Sequence, residues 1–365
     1  VTLAPDVRGL LRADAAARRI VRTHRALTRV HAGVTRDRER STLLACSGGS
    51  DSIGLLAAFA SSSVPLVVAS IAHDIRDIAE VERDIALVAS SAAQVGAPFR
   101  SAAVRVMRGK GNLEARARRE RYRALEAIAF ECGCRFVASA HHADDVLETM
   151  LMRMLRGAGP RGLAGPMPIR PLGDRGVMLV RPALGTRKAD LARLATIAKL
   201  RWRHDETNDD PALLRNALRA RVTPVLEELV PNAAIRAAST GATLRDLASW
   251  LDLEVASRLD GAVRPSVDLP AGSIAIDRRL LSAMPEFVLG EVIREAIRRL
   301  GGAGELDRIG RAELAGVCSA IKDGIGGLRT YAWGTAGRVV LTLDRTSFVL
   351  CVKPEPGQHS TAHTR

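Results

Sequence analysis

From Ser41 onward the chain alternates two kinds of segment: apolar runs at 43–46, 65–72, 98–106 and 135–140, and helix-patterned stretches at 52–60, 78–95, 112–131 and 144–155. A further strand (177–181) and helix (187–199) extend the pattern. Strands alternating with helices of this length predict an α/β fold with a parallel sheet, because a parallel strand can be reached only through a crossover, usually helical. Ligands of such sheets bind beyond the carboxyl ends of the strands. The turn at the end of the first run reads Ser47-Gly48-Gly49-Ser50-Asp51-Ser52. Its glycines let backbone amides approach a ligand, its serines add hydroxyl donors, and the helix that follows contributes the partial positive charge of its N-terminus. This is a cradle for phosphate. It is neither a Walker A loop nor a dinucleotide fingerprint, since GK[ST] and GxGxxG are both absent.

Two further segments carry chemistry. In the helix from 112, Glu114, Arg118, Arg121 and Tyr122 recur at spacings of three and four and so share a face. A guanidinium there suits charge developing on a phosphate, although the same spacing also describes a salt-bridged solvent face. At the next strand–helix junction stands Ala140-His141-His142-Ala143-Asp144-Asp145-Val146-Leu147-Glu148-Thr149. Asp145 and Glu148 are one turn apart and His142 opens the helix, so all three can face the crevice that the serine-rich turn faces. The paired carboxylates suit either magnesium or a substrate ammonium group. Adjacent histidines diverge on a strand, which disfavours joint metal ligation by His141 and His142.

The organisation along the chain reads as a basic helical N-terminal extension (1–40), a nucleotide-binding catalytic domain (41–230), a smaller mainly helical domain ending in short strands (240–352), and a disordered tail (353–365). Within the second part, the Gly/Pro-rich stretch 157–171 reads as a loop, and 205–230 as an acidic turn leading into a basic helix. In the third, helices are expected at 240–259, 279–299 and 305–322, followed by antiparallel strands within 328–334, 337–344 and 347–352. Lys and Arg number 54 against 40 Asp and Glu, a formal charge of +14 that favours a polyanionic partner such as nucleic acid. Five cysteines with no CxxC pair argue against a disulfide framework or a zinc ribbon. No signal-peptide pattern and no membrane-length apolar run is present, so a cytoplasmic location without membrane association is expected.

The turn at 47–52 resembles the SGGxDS pyrophosphate loop of the N-type ATP pyrophosphatases. With the 140–149 motif, "RGAGPRGLAG" (156–165), "RPAL" (181–184) and "DETNDDPALLRNALRARVTPVL" (205–226), the ordered set is similar to the tRNA(Ile)-lysidine synthetases. The resemblance implies a PP-loop ATPase fold and an ATP-dependent carbon–nitrogen ligase. Such an enzyme adenylates the wobble cytidine of a CAU anticodon in tRNA(Ile), releases pyrophosphate, and lets free L-lysine displace AMP. On that reading Ser47, Gly48, Gly49, Ser50, Asp51 and Ser52 bind ATP, Asp51 positions Mg2+, and Arg118 sits by the phosphates. His142, Asp145 and Glu148 serve lysine, magnesium or the activated base. Asp205, Asn208, Arg215, Asn216, Arg219 and Arg221 match a block whose arginines suit RNA phosphates. Assembly as a homodimer is left open.

There are departures. The family's HxxHGLR-like run is here Ser70-Ile71-Ala72-His73-Asp74-Ile75-Arg76, Val146 replaces a common Gln, and Leu213 replaces a Tyr. The alternatives are another PP-loop tRNA-modifying enzyme, a thiolase, for which Cys132-Gly133-Cys134 is a C-x-C rather than a CxxC pair, or a catalytically silent RNA-binding relative.

Overall fold

A computed structural model describes residues 3–74, 78–107, 113–203, 213–265, 269–270, 272–323, 328–334 and 337–353. The helices are α1 (Pro5–Ala13), α2 (Ala15–Ala32), α3 (Ser50–Ala60), α4 (Ile78–Val95), α5 (Leu113–Glu131), α6 (Ala143–Met154), α7 (Pro160–Leu163), α8 (Lys188–Ile197), α9 (Leu214–Ala217), α10 (Thr223–Leu229), α11 (Ala233–Ala262), α12 (Arg278–Leu281), α13 (Glu286–Arg299) and α14 (Arg311–Lys322). The strands are β1 (Thr42–Ala45), β2 (Leu66–His73), β3 (Phe99–Val104), β4 (Phe136–Ala138), β5 (Ile169–Pro171), β6 (Met178–Val180), β7 (Val263–Arg264), β8 (Ser273–Asp277), β9 (Arg329–Trp333), β10 (Val339–Leu343) and β11 (Ser347–Val352). Among the described residues no helix is long and apolar enough to cross a membrane.

The chain forms two compact units, Val1–Arg245 and Asp246–Arg365. In the first, six strands run in the order β3-β2-β1-β4-β6-β5. All neighbours are parallel except β5, which runs antiparallel to β6. The chain steps outward from β1 to β2 to β3, then returns to the other side of β1 for β4. That reversal leaves a crevice at the carboxyl ends of β1 and β4, the place where a sheet of this kind admits a ligand.

Strand alternation sends Leu43 and Leu44 to opposite faces. Leu44 joins Ile53, Phe59, Val88 and Leu191 under α3, α4 and α8, in a core that also takes Leu11 of α1 and Ile20 of α2. Leu43 joins Leu125, Val137 and Leu179 under α5. His24 of α2 is wholly buried, edge-on to Phe59 and Phe136, with Nε2 placed 3.2 Å from the Thr42 hydroxyl.

Helices α3 and α8 approach each other backbone to backbone within this core. A Cβ added at Gly54 would lie 2.1 Å from the Leu191 carbonyl oxygen and 2.5 Å from its carbon. Backbone cannot swing aside as a side chain can, so Gly54→Ala is expected to destabilise by about 1–3 kcal/mol, towards the upper end. Gly9→Ala in α1, where an added Cβ meets nothing within 4 Å, should be neutral or stabilising. Urea denaturation of the two variants reads the contrast; equal midpoints would show that α8 yields.

The stretch expected as loop at 157–171 contains the short α7 and ends in edge strand β5, where Pro171 costs no central ladder bond. The second unit carries a five-stranded antiparallel sheet in the order β7-β8-β11-β10-β9. Val292, Ile293 and Ile297 of α13 and Val317 and Ile321 of α14 pack in one core with Leu341, Phe348 and Leu350 of the sheet. The single helix expected at 279–299 is two, α12 and α13, because Pro285 starts a new helix as N-cap and cannot continue the old one.

Candidate active site

The serine-rich turn leaves the end of β1 and opens α3, with Gly49 as N-cap. Gly48 has φ 87°, in the left-handed region, which any side chain would strain. Its carbonyl is held by the Arg203 N–H at 3.0 Å. Ser52 works inward. Its buried hydroxyl accepts from the Ser47 N–H at 3.2 Å and donates to the Gly49 carbonyl at 3.0 Å. Ser47 is exposed, and Ser50 donates to Asp51 Oδ1 at 3.2 Å. The loop's own architecture thus depends on Ser52, while Ser47, Ser50 and the Asp51 carboxylate stand at its rim.

Across the crevice, β4 ends and His142 caps α6. Its backbone N–H donates to Asp145 Oδ2 at 3.0 Å, so the acid three residues on covers the amino end of the helix. The imidazole is 1% exposed and surrounded by carboxylates. Nε2 lies 3.5 Å from both Asp51 Oδ2 and Asp145 Oδ2, and Nδ1 lies 3.4 Å from Asp144 Oδ2. Burial alone would lower its pKa, but Asp145, Asp144 and Asp51 together outweigh that and push it up to about 10. At neutral pH His142 is therefore a fixed cation. Asp144 is held down to about 2 against its own burial by His142 and by the Lys188 N–H, which donates to Oδ2 at 2.8 Å.

Glu148 is fully buried and takes both neighbouring guanidiniums. Arg215 Nε donates to Oε2 at 2.7 Å, and Arg219 reaches Oε1 through Nε at 2.7 Å and Oε2 through Nη2 at 3.0 Å. Arg215 Nη2 also donates to Asp145 Oδ1 at 2.6 Å. The two arginines flank the turn from α9 into a π-helical segment, Leu218–Val222, which widens the helix and brings positions 215 and 219 to the same pair of acids. Arg221 is exposed. Asp205 and Asn208 lie outside the described residues.

Arg118 is exposed on α5, its guanidinium 5.2 Å from the Tyr122 ring centre. Arg170 stands at 5.2 Å from the same ring. His141 donates to or accepts from the Ser139 hydroxyl at 2.9 Å, and burial, reinforced by Arg181, Arg118 and Arg215 and opposed by Asp145, lowers it to about 3. The sequence leads one to expect Ser47 to Ser52, His142, Asp145 and Glu148 at one crevice; the structure brings Asp51, His142 and Asp145 together, while Ser52 turns into the loop and Glu148 is buried against Arg215 and Arg219. Sequence reasoning did not assign roles to Asp144 or Arg181. Asp144 was visible as the first acid of an acid pair beside an N-cap; Arg181, 2% exposed directly after β6, had only its position at a strand's carboxyl end as a signal.

These shifts fix a pH profile of stability. His142 is raised from 6.5, so its contribution is complete below pH 6.5 and is lost as pH rises towards 10. His141, lowered to about 3, and His24, lowered to about 4 mainly by burial, act the other way: their contribution is present above 6.5 and is lost as pH falls through those values. The urea midpoint should therefore fall on both sides of neutrality, and His142→Gln should flatten the alkaline side only. An unchanged alkaline slope in that variant would contradict the imidazolium.

The PP-loop domain family matches residues 21–226. A tRNA(Ile)-lysidine synthase of Methylobacterium nodulans is 36% identical over 322 residues, 86% of this chain and 90% of that protein. One of Geobacter sulfurreducens is 36% identical over 234 residues, 62% of this chain and 48% of that protein. One of Burkholderia mallei is 40% identical over 229 residues, 60% of this chain and 46% of that protein. The chain thus spans about half the length of the last two relatives and nearly all of the first. With a phosphate loop at the switch point of its sheet and a relative matched almost end to end, the chain belongs to the tRNA(Ile)-lysidine synthase family of PP-loop proteins.

Proposed function

We propose that this protein is an ATP-dependent, cytoplasmic ligase that adenylates the wobble cytidine of the CAU anticodon of tRNA(Ile) and attaches lysine. The observation that carries the reading is the meeting of the phosphate loop and the His142–Asp145–Glu148 cluster across the β1/β4 crevice. The cytidine O2 attacks the α-phosphate, pyrophosphate leaves, and the lysine ε-amine then attacks C2 with AMP as leaving group. The amides around Gly48 and Gly49, the Ser47 and Ser50 hydroxyls and the start of α3 hold the departing pyrophosphate. We assign Arg118 to offset its charge.

Magnesium fits this site as one carboxylate plus substrate phosphates, its usual manner with nucleotides. Asp51, one-third exposed beside the loop hydroxyls, is that carboxylate. Among the described residues no group of three or more His, Cys, Asp or Glu forms a protein-only cage. When bound, the ion neutralises phosphate charge. His142 holds Asp51 from behind. With its pKa near 10, His142 carries charge rather than exchanging protons at pH 7.

We assign lysine to Asp145, which keeps a little exposure where Glu148 has none; the ammonium group would take the place of Arg215 at Oδ1. We assign Arg221, and the arginine pair once drawn off the acids, to RNA phosphate. A thiolase reading finds less support. Cys134 lies beside Ser41, at the amino end of β1 and β4 and so at the opposite edge of the sheet from the phosphate loop. Cys46 is buried against Ser52, its thiol pushed up by that burial. ATP–pyrophosphate exchange dependent on a CAU-anticodon tRNA(Ile), followed by lysine incorporation, tests the proposal; exchange with sulfur incorporation and no lysine would replace it with the thiolase.

A further inference from the structure

Within the first unit an open cavity of about 420 Å³ is lined by Arg19 of α2, Arg187 and Asp190 at the start of α8, and Asn232, Ile235 and Arg236 at the start of α11. That volume is within the range of about 300–1,000 Å³ usual for ligand pockets. Its lining has too much positive charge for the acid present. Asp190 already has a cation in Arg193, at 3.2 Å. Arg187 pairs with Glu227 at 3.1 Å through one terminal nitrogen, while its Nε is buried with no hydrogen-bond partner among the described residues. Arg19 donates to the neutral Gly185 carbonyl, at 2.9 Å. Arg236 is exposed and has no ion pair among the described residues. The amino ends of α8 and α11 both begin at this cavity, adding positive potential to the guanidiniums. Three elements distant in sequence thus converge on one volume whose chemistry calls for an anion.

The cavity is also tied to the active site. The segment that carries Arg187 accepts the Ala143 N–H at the Thr186 carbonyl, 2.9 Å, and the Lys188 N–H donates to Asp144 Oδ2, the acid that holds His142. Whatever binds at Arg187 is therefore held in fixed register with the amino end of α6.

We propose that this cavity is a second RNA foothold, taking a backbone phosphate and its sugar at Arg19, Arg187 and Arg236 while the target nucleotide occupies the β1/β4 crevice. The proposal rests on the reading of the chain as a tRNA-acting enzyme. A phosphodiester supplies the counter-charge that Arg19 and Arg236 lack. An open cavity suits a strand that enters and leaves better than it suits a small anion that must be enclosed.

The test uses Arg19→Ala/Arg236→Ala, both on the surface, with Arg19→Lys/Arg236→Lys as the charge-preserving control. Binding of a tRNA(Ile) transcript is measured over a range of salt, binding of inorganic phosphate by calorimetry, and ATP binding as a check on the crevice. The alanine variant should bind tRNA about tenfold more weakly, with the slope of log K against log salt reduced by about 0.7–0.9 for each RNA phosphate that is no longer neutralised. The lysine variant should keep the slope, and ATP binding should be unchanged in both. If the unaltered protein binds tRNA and the alanine variant keeps its affinity and slope, the foothold is overturned while the functional reading stands. If only inorganic phosphate binding is lost, the cavity is a free-anion site and the RNA assignment is wrong. If the unaltered protein binds no tRNA, the functional reading fails first and takes the foothold with it.

Discussion

Asp51→Ala is expected to lower tRNA-dependent ATP–pyrophosphate exchange by at least about 10²–10³-fold, the usual cost of removing one preorganised group from a site of developing charge. The side chain lies in the first turn of α3, one-third exposed and outside the apolar core, so its loss opens no cavity. Two effects combine. The phosphate loop loses the carboxylate suited to bring magnesium to the phosphates, and His142 loses one of the three acids that keep it charged, leaving Asp144 and Asp145. The magnesium concentration for half-maximal exchange should rise as well, which loss of charge balance alone would not produce. Melting should be little changed. Near-normal exchange at ordinary magnesium would remove Asp51 from the chemistry.

Asp145→Asn should divide the two half-reactions. Asparagine keeps the size of the side chain and an oxygen for the His142 N–H, while Arg215 and Arg219 remain anchored on Glu148. If Asp145 pairs with the lysine α-ammonium, losing that charge-assisted bond costs roughly 1.5–3 kcal/mol, about ten- to a hundredfold in the lysine step alone. Adenylated tRNA should then accumulate in single-turnover reactions with labelled ATP, with or without lysine. Were Asp145 a magnesium ligand instead, pyrophosphate release would fail first and no intermediate would be trapped.

The alternation from Ser41 to Leu155 was legible in the sequence because period, length and breakers agree there. Each of the first four strand–helix pairs lies within a few residues of its expected place. The crevice residues were legible because strand ends and helix starts fix where side chains can point, whatever the tertiary details. Pairing between distant segments was not. Arg215 and Arg219 read as a basic helix face available to RNA, and nothing in their spacing told that Glu148, 67 residues away from Arg215, would be buried against them. The edge strand β5 was hidden for a different reason: Gly and Pro around it signal a turn, and only its neighbour β6 makes three residues into a strand. In the second unit, β8 was missed because its five residues run directly into α12, without a breaker between.

The close approach of Gly54 to Leu191 has a mechanical consequence. Helix α3 begins at the phosphate loop, and α8 begins at the amide that holds Asp144. Because the two helices touch backbone to backbone, with no side chain between them to change rotamer, they form a stiff yoke joining the two sides of the crevice. Thermal motion that displaces the serine-rich turn must carry the Asp144–His142 anchor along with it, so the span from Asp51 to the acid cluster is preserved while the rest of the sheet breathes. A hydrogen-exchange experiment would see this as amides of α3 and α8 opening together, at one common rate, even under conditions where the outer strand β3 exchanges on its own.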